Sequence, residues 1–208
     1  MSQSHKATLD RWMQLMSAFD LEANQETYDK LIAAHGEKHR AYHTLEHIEA
    51  CFRHLDGLGL SHPAASEIEL SFWFHDAIYK PFSSTNEEDS AEWAKAFMTQ
   101  NKLPSDCIKR VFDLIILTKT HSNPQNQDAA IMLDIDLSIL GAPPNVYDQY
   151  EKNIRIEYKR VPFFLYKKKR KEILQSFLDM ERIYTHEPFF EKWEARARAN
   201  LIKAVADL

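Results

Sequence analysis

Along most of the chain, apolar residues recur every three or four positions, the spacing of one face of an α-helix. The first such pattern begins near Thr8 and puts Leu9, Trp12, Met13 and Met16 on one face. A second follows Asn24, with Tyr28, Leu31 and Ile32 apolar and Gly36 suited to end it. Leu45, Ile48, Phe52 and Leu55 define a third, with His43 and His47 at its start. The segment after Pro63, EIELSFWFHDAIYK, is different: its first half alternates as a strand would, then runs through consecutive Phe72, Trp73 and Phe74. Its length favours a buried helix. Asn86 is suited to cap a helix over 87–100, whose opening EED run matches a helix N-terminus. Pro104 and Ser105 open another, DCIKRVFDLIILTKTH, and the polar HSNPQNQD separates it from AAIMLDIDLSILG, which ends at Gly141. Pro143 and Pro144 lead into a long helix, and two more follow, with Pro188 near the start of the last. The expectation is an all-α helical bundle forming a single domain over 1–208.

Composition agrees. Only 4 glycines occur in 208 residues, too few for the turns of a sheet-rich protein and too few for a glycine-rich phosphate loop. The net charge of −5 argues against a broad nucleic-acid footprint. The two cysteines, Cys51 and Cys107, lack metal-ligand spacing, and Cys51 reads as a small buried thiol. No apolar run approaches a membrane span or a secretory leader, so a cytoplasmic location without a membrane partner is expected.

Candidate chemistry begins with HGEKHRAYHTLEH, where His35, His39, His43 and His47 are spaced by four. On one helix they would form a stripe, but a stop at Gly36 breaks it and leaves His35 and His39 without assigned chemistry. The most informative feature is His75-Asp76 within WFHDAIY. An ionised carboxylate in so apolar a frame needs a cation, an arginine or a metal beside it. Upstream lies Arg40-Ala41-Tyr42-His43. Downstream, LDIDLSILG carries Asp134 and Asp136, which fall about 200° apart around a helix, so one can face a site the other cannot share. These separate places offer imidazoles and carboxylates to one divalent ion, a set that suits Mn, Fe, Co, Ni or Zn.

The order H…HD…D, with R-A-Y-H-T-L-E-H, F-W-F-H-D-A-I-Y, N-E-E-D-S-A, L-T-K-T-H and L-D-I-D-L-S-I-L-G, resembles the HD-domain superfamily of metal-dependent phosphohydrolases, in particular its small stand-alone members. The resemblance runs from about Arg40 to Gly141, with the helices over 144–208 packing on that core. It implies a phosphodiesterase-like all-α bundle, one divalent ion (Mn, Fe, Co, Ni, Zn or Mg) and the ligands His43, His75, Asp76 and Asp136, with Asp134 either supporting a ligand or structural. It implies hydrolysis of a phosphate ester of a nucleotide or small metabolite by a metal-activated water. Glu87, Glu88 and His121 are the candidates for moving protons, and Arg40, Lys80 and His47 for meeting the substrate. His47 becomes a ligand only if a second ion enters. Tyr79 stands where some nucleotidase-like members carry a glutamate, which argues against transferring their specificity.

Two other readings are weaker. The H-x-x-x-H spacing lacks the glutamate directly after the first histidine that a zinc peptidase requires; Thr44 is there instead. A non-catalytic HD-like domain binding a nucleotide or protein is opposed by the complete ligand set. The basic run Lys167–Lys171 reads as a solvated face. The expected partner is a small phosphorylated molecule, with a homodimer left open.

Overall fold

The computed structural model describes residues 3–122 and 124–208, with side chains described from Thr8 onward. Among these residues the protein is all-α: ten α-helices, one 3-10 helix and no strand. The chain falls into two compact units, one holding the residues up to Lys38 and His43–His121, the other His39–Tyr42 and the residues from Ser122 on. The boundary near 121 lies inside the motif core expected over about 40–141. Hydrophobic periodicity identifies the buried face of each helix but not the helix it packs against, so it carries no signal for this division.

The first unit contains α1 (Gln3–Ala18), α2 (Gln25–His35), α3 (Leu45–Asp56), α4 (Ala64–Phe74), α5 (Asn86–Gln100) and α6 (Ser105–Leu117). α4 is its axis and packs against α1, α3, α5 and α6. A helix surrounded on all sides must be apolar on all sides, which explains the unbroken Phe72-Trp73-Phe74 run; all three are fully buried. The strand-like alternation before it has a separate cause. Glu67 and Glu69 lie on different sides of α4, and each meets an arginine from a different neighbour. Arg110 of α6 forks onto Glu67 with two bonds of 2.7 Å. Arg11 of α1 bonds Glu69 at 2.9 and 2.8 Å, forks onto Asp56 of α3 at 2.8 and 2.8 Å, and lies 4.3 Å over the Phe52 ring.

Three local expectations are corrected. In α1 the inward face is Thr8, Trp12, Leu15 and Met16, while Met13 points outward. Asn86 is the first residue of α5, and Thr85 precedes it as the cap residue without a capping bond. The Asn86 amide reaches back instead, accepting from the Lys80 N–H and donating to the Lys80 carbonyl, both at 3.0 Å. The long apolar segment is helical only to Phe74, so His75 and Asp76 occupy the turn that follows.

The second unit contains α7 (Gln127–Asp136), a 3-10 helix (Leu137–Gly141), α8 (Pro144–Glu157), α9 (Phe163–Leu178) and α10 (Glu187–Asp207). The 3-10 helix packs on α7, α8 and α10. Gly141 is required by close approach: a Cβ there would lie 2.5 Å from Trp193 Cβ. Asn200 donates to the Leu140 and Ala142 carbonyls at 2.8 and 2.9 Å, and the Tyr184 hydroxyl donates to Leu137 O at 2.9 Å. The buried Glu157 carboxylate accepts from the Ala41 and Tyr42 amides at 2.7 and 2.8 Å, and Tyr42 meets Tyr150 edge-on at 4.5 Å. These contacts assign His39–Tyr42 to this unit.

Candidate metal centre

The centre is built at the end of α4. A helix leaves its last four carbonyls without intrahelical partners. Here each is met by a particular group. Ser71 O accepts from the His75 N–H at 2.8 Å, and Phe74 O from the Ala77 N–H at 2.9 Å. Phe72 O is 2.9 Å from His75 Nδ1, and Trp73 O is 3.3 Å from His35 Nε2. The turn that closes the helix therefore uses one nitrogen of His75 and leaves the other facing away from it. Ser90 and Asn86, one turn apart on α5, lace the rest of the turn: the Ile78 N–H donates to Ser90 Oγ at 3.0 Å, and Asn86 brackets Lys80.

A carbonyl can only accept, so His75 Nδ1 is the donor in its bond to Phe72 O. The neutral ring then presents an unprotonated Nε2. That atom lies 3.3 Å from His47 Nε2 and 3.1 Å from Asp76 Oδ2, and His47 Nε2 lies 3.8 Å from the same carboxylate oxygen. His47 is carried by the first turn of α3, and both imidazoles are buried. Two nitrogens bound to one ion at about 2.1 Å each would stand about 3–3.5 Å apart, which the His pair satisfies. Two imidazoles and a carboxylate this close together are donors of the kind a divalent ion takes. Cys51, one turn after His47, places its Sγ 3.9 Å from His47 Nε2.

The other expected site residues are distributed as follows. His43 precedes α3, half-buried, with its ring stacked on Tyr79 at 4.2 Å and 28° and 6.3 Å from the His47 ring. Asp136, half-buried, is the last residue of α7 in the second unit. Asp134 has both carboxylate oxygens committed to backbone, accepting from Thr185 N at 3.0 Å and His186 N at 2.6 Å. Burial pushes its carboxyl up to about 6 against the pull of those amides. Glu88 is ion-paired with Lys119, which holds its carboxyl below the usual range; Lys119 also donates to Ser84 O at 2.8 Å. Glu87 is half-buried on the first turn of α5. His121 is half-buried just past α6 with φ 48°. Arg40 is buried and Lys80 exposed, although the sequence gives both the same reading as contacts for the substrate.

His47 is expected beside the site and lies within the cluster. Sequence reasoning misses Ser90, Glu157 and the stacking of Tyr79 on His43. The spacing of Asn86 and Ser90, one turn apart and facing a preceding turn, is a usable signal; the carbonyl of Phe72 leaves none. No family model matches the chain, and no curated protein or solved structure matches it either.

Proposed function

We propose that the protein is a metal-dependent phosphohydrolase cleaving a phosphate ester of a nucleotide or small metabolite, with its ion held by His47, His75 and Asp76. The observation that carries this reading is the placement of the His75 ring. With Nδ1 donating to Phe72 O, its Nε2 lone pair converges with the Asp76 carboxylate and the buried His47 ring on one point, and a cation there satisfies all three. The order of the H…HD…D motifs adds Asp136 as a further carboxylate and His43 as a further imidazole, its ring plane set by Tyr79. Imidazole and carboxylate together favour Mn, Fe, Co, Ni or Zn over Mg, which prefers oxygen donors and retained waters. An ion of this kind lowers the pKa of a bound water and polarises a phosphoryl oxygen.

The chain's own groups take the remaining roles. The exposed Lys80 suits an electrostatic contact with a phosphate. Glu88, held ionised by Lys119, is a poor proton donor, so we assign proton transfer to Glu87 or His121. The test is elemental analysis of the purified protein, followed by a phosphomonoester and phosphodiester screen with several divalent metals before and after chelation. Bound metal and chelation-sensitive turnover are expected. A metal-free protein inactive on every ester with every added ion would overturn the proposal in favour of a binding domain.

A further inference from the structure

We infer that the start of α9 is a docking surface for an anionic lipid bilayer. Three consecutive large apolar residues stand exposed there: Phe163 at 59%, Phe164 at 70% and Leu165 at 43% relative accessibility. Exposed apolar residues scattered singly need no explanation, but a contiguous aromatic group does. Along the chain on either side of it the charge is mostly basic. Lys159 and Arg160 are exposed in the preceding turn, Lys168 and Lys171 are exposed along the helix, and the first acidic residue after Glu157, Glu172, pairs with Lys169 at 2.7 Å. Phe164, Lys168 and Lys171 follow i, i+4, i+7 spacing and so share one face.

The opposite face anchors the helix. Tyr166, Arg170 and Leu174 are buried, Arg170 bonds Glu151 at 3.1 and 2.6 Å, and its guanidinium lies 5.2 Å over the Tyr150 ring. The run Lys167–Lys171 is therefore not uniformly a solvated face: its arginine is an internal clamp, and its lysines are projected outward by it. A rigidly mounted helix end that presents aromatic side chains within a ring of lysines matches the interface of an anionic bilayer, where aromatics enter the headgroup boundary and lysines meet the lipid charge.

Charge complementarity selects this occupant. The chain as a whole carries −5, so the patch opposes the protein's own charge and matches an anionic surface. A second copy docking here through the same patch would face like charge with like. No described helix is long and apolar enough to cross a membrane, so the association is peripheral. It departs from the sequence expectation of no membrane partner, and it is independent of the proposed hydrolase activity.

The test is co-sedimentation of the full chain with phosphatidylcholine vesicles, with and without about one-third phosphatidylserine, at low and physiological salt. At least tenfold stronger partitioning onto the serine-containing vesicles is expected, weakening as salt rises. The double variant Lys168→Glu/Lys171→Glu should lose about tenfold or more of that binding, and Phe164→Ser severalfold. These side chains are exposed, and unchanged circular dichroism and melting will confirm folding. Equal binding to both vesicle types, or binding indifferent to both variants, overturns the inference. So does capture of an oligonucleotide, or self-association through these residues, without vesicle binding.

Discussion

α4 and α7 are nearly matched helices that use their carboxylates differently. Each is buried along most of its length, carries two acids two residues apart, and gives way at its C-terminus to a tighter turn. In both pairs, Glu67 and Glu69 in α4 and Asp134 and Asp136 in α7, the first acid is buried and the second half-buried. In α4 both acids are met by arginines from packing neighbours, and the residues of ligand type come only after the last helical residue. In α7 the first acid is consumed by two backbone amides, and the second is the last helical residue itself. An acid in an apolar helix is thus not by itself a mark of chemistry. Glu67, Glu69 and Asp134 are all structural, the first two neutralised by arginines and the third satisfied by backbone amides. The candidate ligands gather at helix ends, where the carbonyl ladder opens and the chain must turn.

The largest effects should separate ends from interiors. His75→Ala and Asp76→Ala are expected to abolish metal binding, seen as loss of the ion by elemental analysis and of any chelation-sensitive turnover. His35→Ala should keep its metal while losing stability, because the Trp73 carbonyl loses its donor, and His39→Ala should also keep its metal. Full metal occupancy in the His75 and Asp76 variants would contradict the assignment. Within α7 the two acids should part in the same way. Asp134→Ala strands two part-buried amides and should cost about 1–3 kcal/mol in denaturant unfolding with metal retained. Asp136→Ala should lose metal with a much smaller change in stability. The reverse pattern would exchange their roles.

How much of this was legible in the sequence depends on the kind of force involved. The helices were legible, because burial of an apolar stripe leaves a periodicity that Ile48, Phe52 and Leu55 display openly. The end of α4 was not. Nothing in WFHDAIY distinguishes a helix that continues through His75 from one that stops at Phe74, since the stop rests on the His35 ring and on carbonyls that carry no side-chain signature. The motif drew attention to His75 and Asp76 but ranked His47 below His43; that Nε2 of His47 approaches Nε2 of His75 depends on the crossing of α3 with α4. Long-range pairing of charge was equally hidden. Arg110 and Glu67 are 43 residues apart and Arg11 and Glu69 are 58 apart, so no local pattern couples them.

That pairing supplies the next contrast, within a single ion pair. The Glu67 side chain is 5% exposed and that of Arg110 47%. Removing the arginine strands a buried carboxylate, whereas removing the charge of the glutamate leaves a cation that water and Asp106 can still meet. Arg110→Ala should therefore cost about 2–3 kcal/mol, at the low end for a buried pair because one partner is half-exposed, and Glu67→Gln about 1 kcal/mol or less. Equal costs would mean that the pair behaves as a surface salt bridge.

The smallest effect is a change in rate and reads the same carboxylate from another side. Cys107 lies on α6 against Glu67, and its thiol is pushed up to about 12, first by burial and then by the charge and hydrogen bonding of Glu67. The thiolate is the reactive form, and at pH 8.5 it should amount to less than about one part in a thousand. Alkylation of Cys107 in the folded protein, followed by peptide mass mapping, should accordingly be slow and should become fast on unfolding. Glu67→Gln removes the nearby negative charge but not the burial, so it should raise the native rate by a small factor only. A large rise would make the carboxylate, rather than the closed packing of α4 against α6, the dominant cause, and would put charge ahead of burial in controlling the groups around α4.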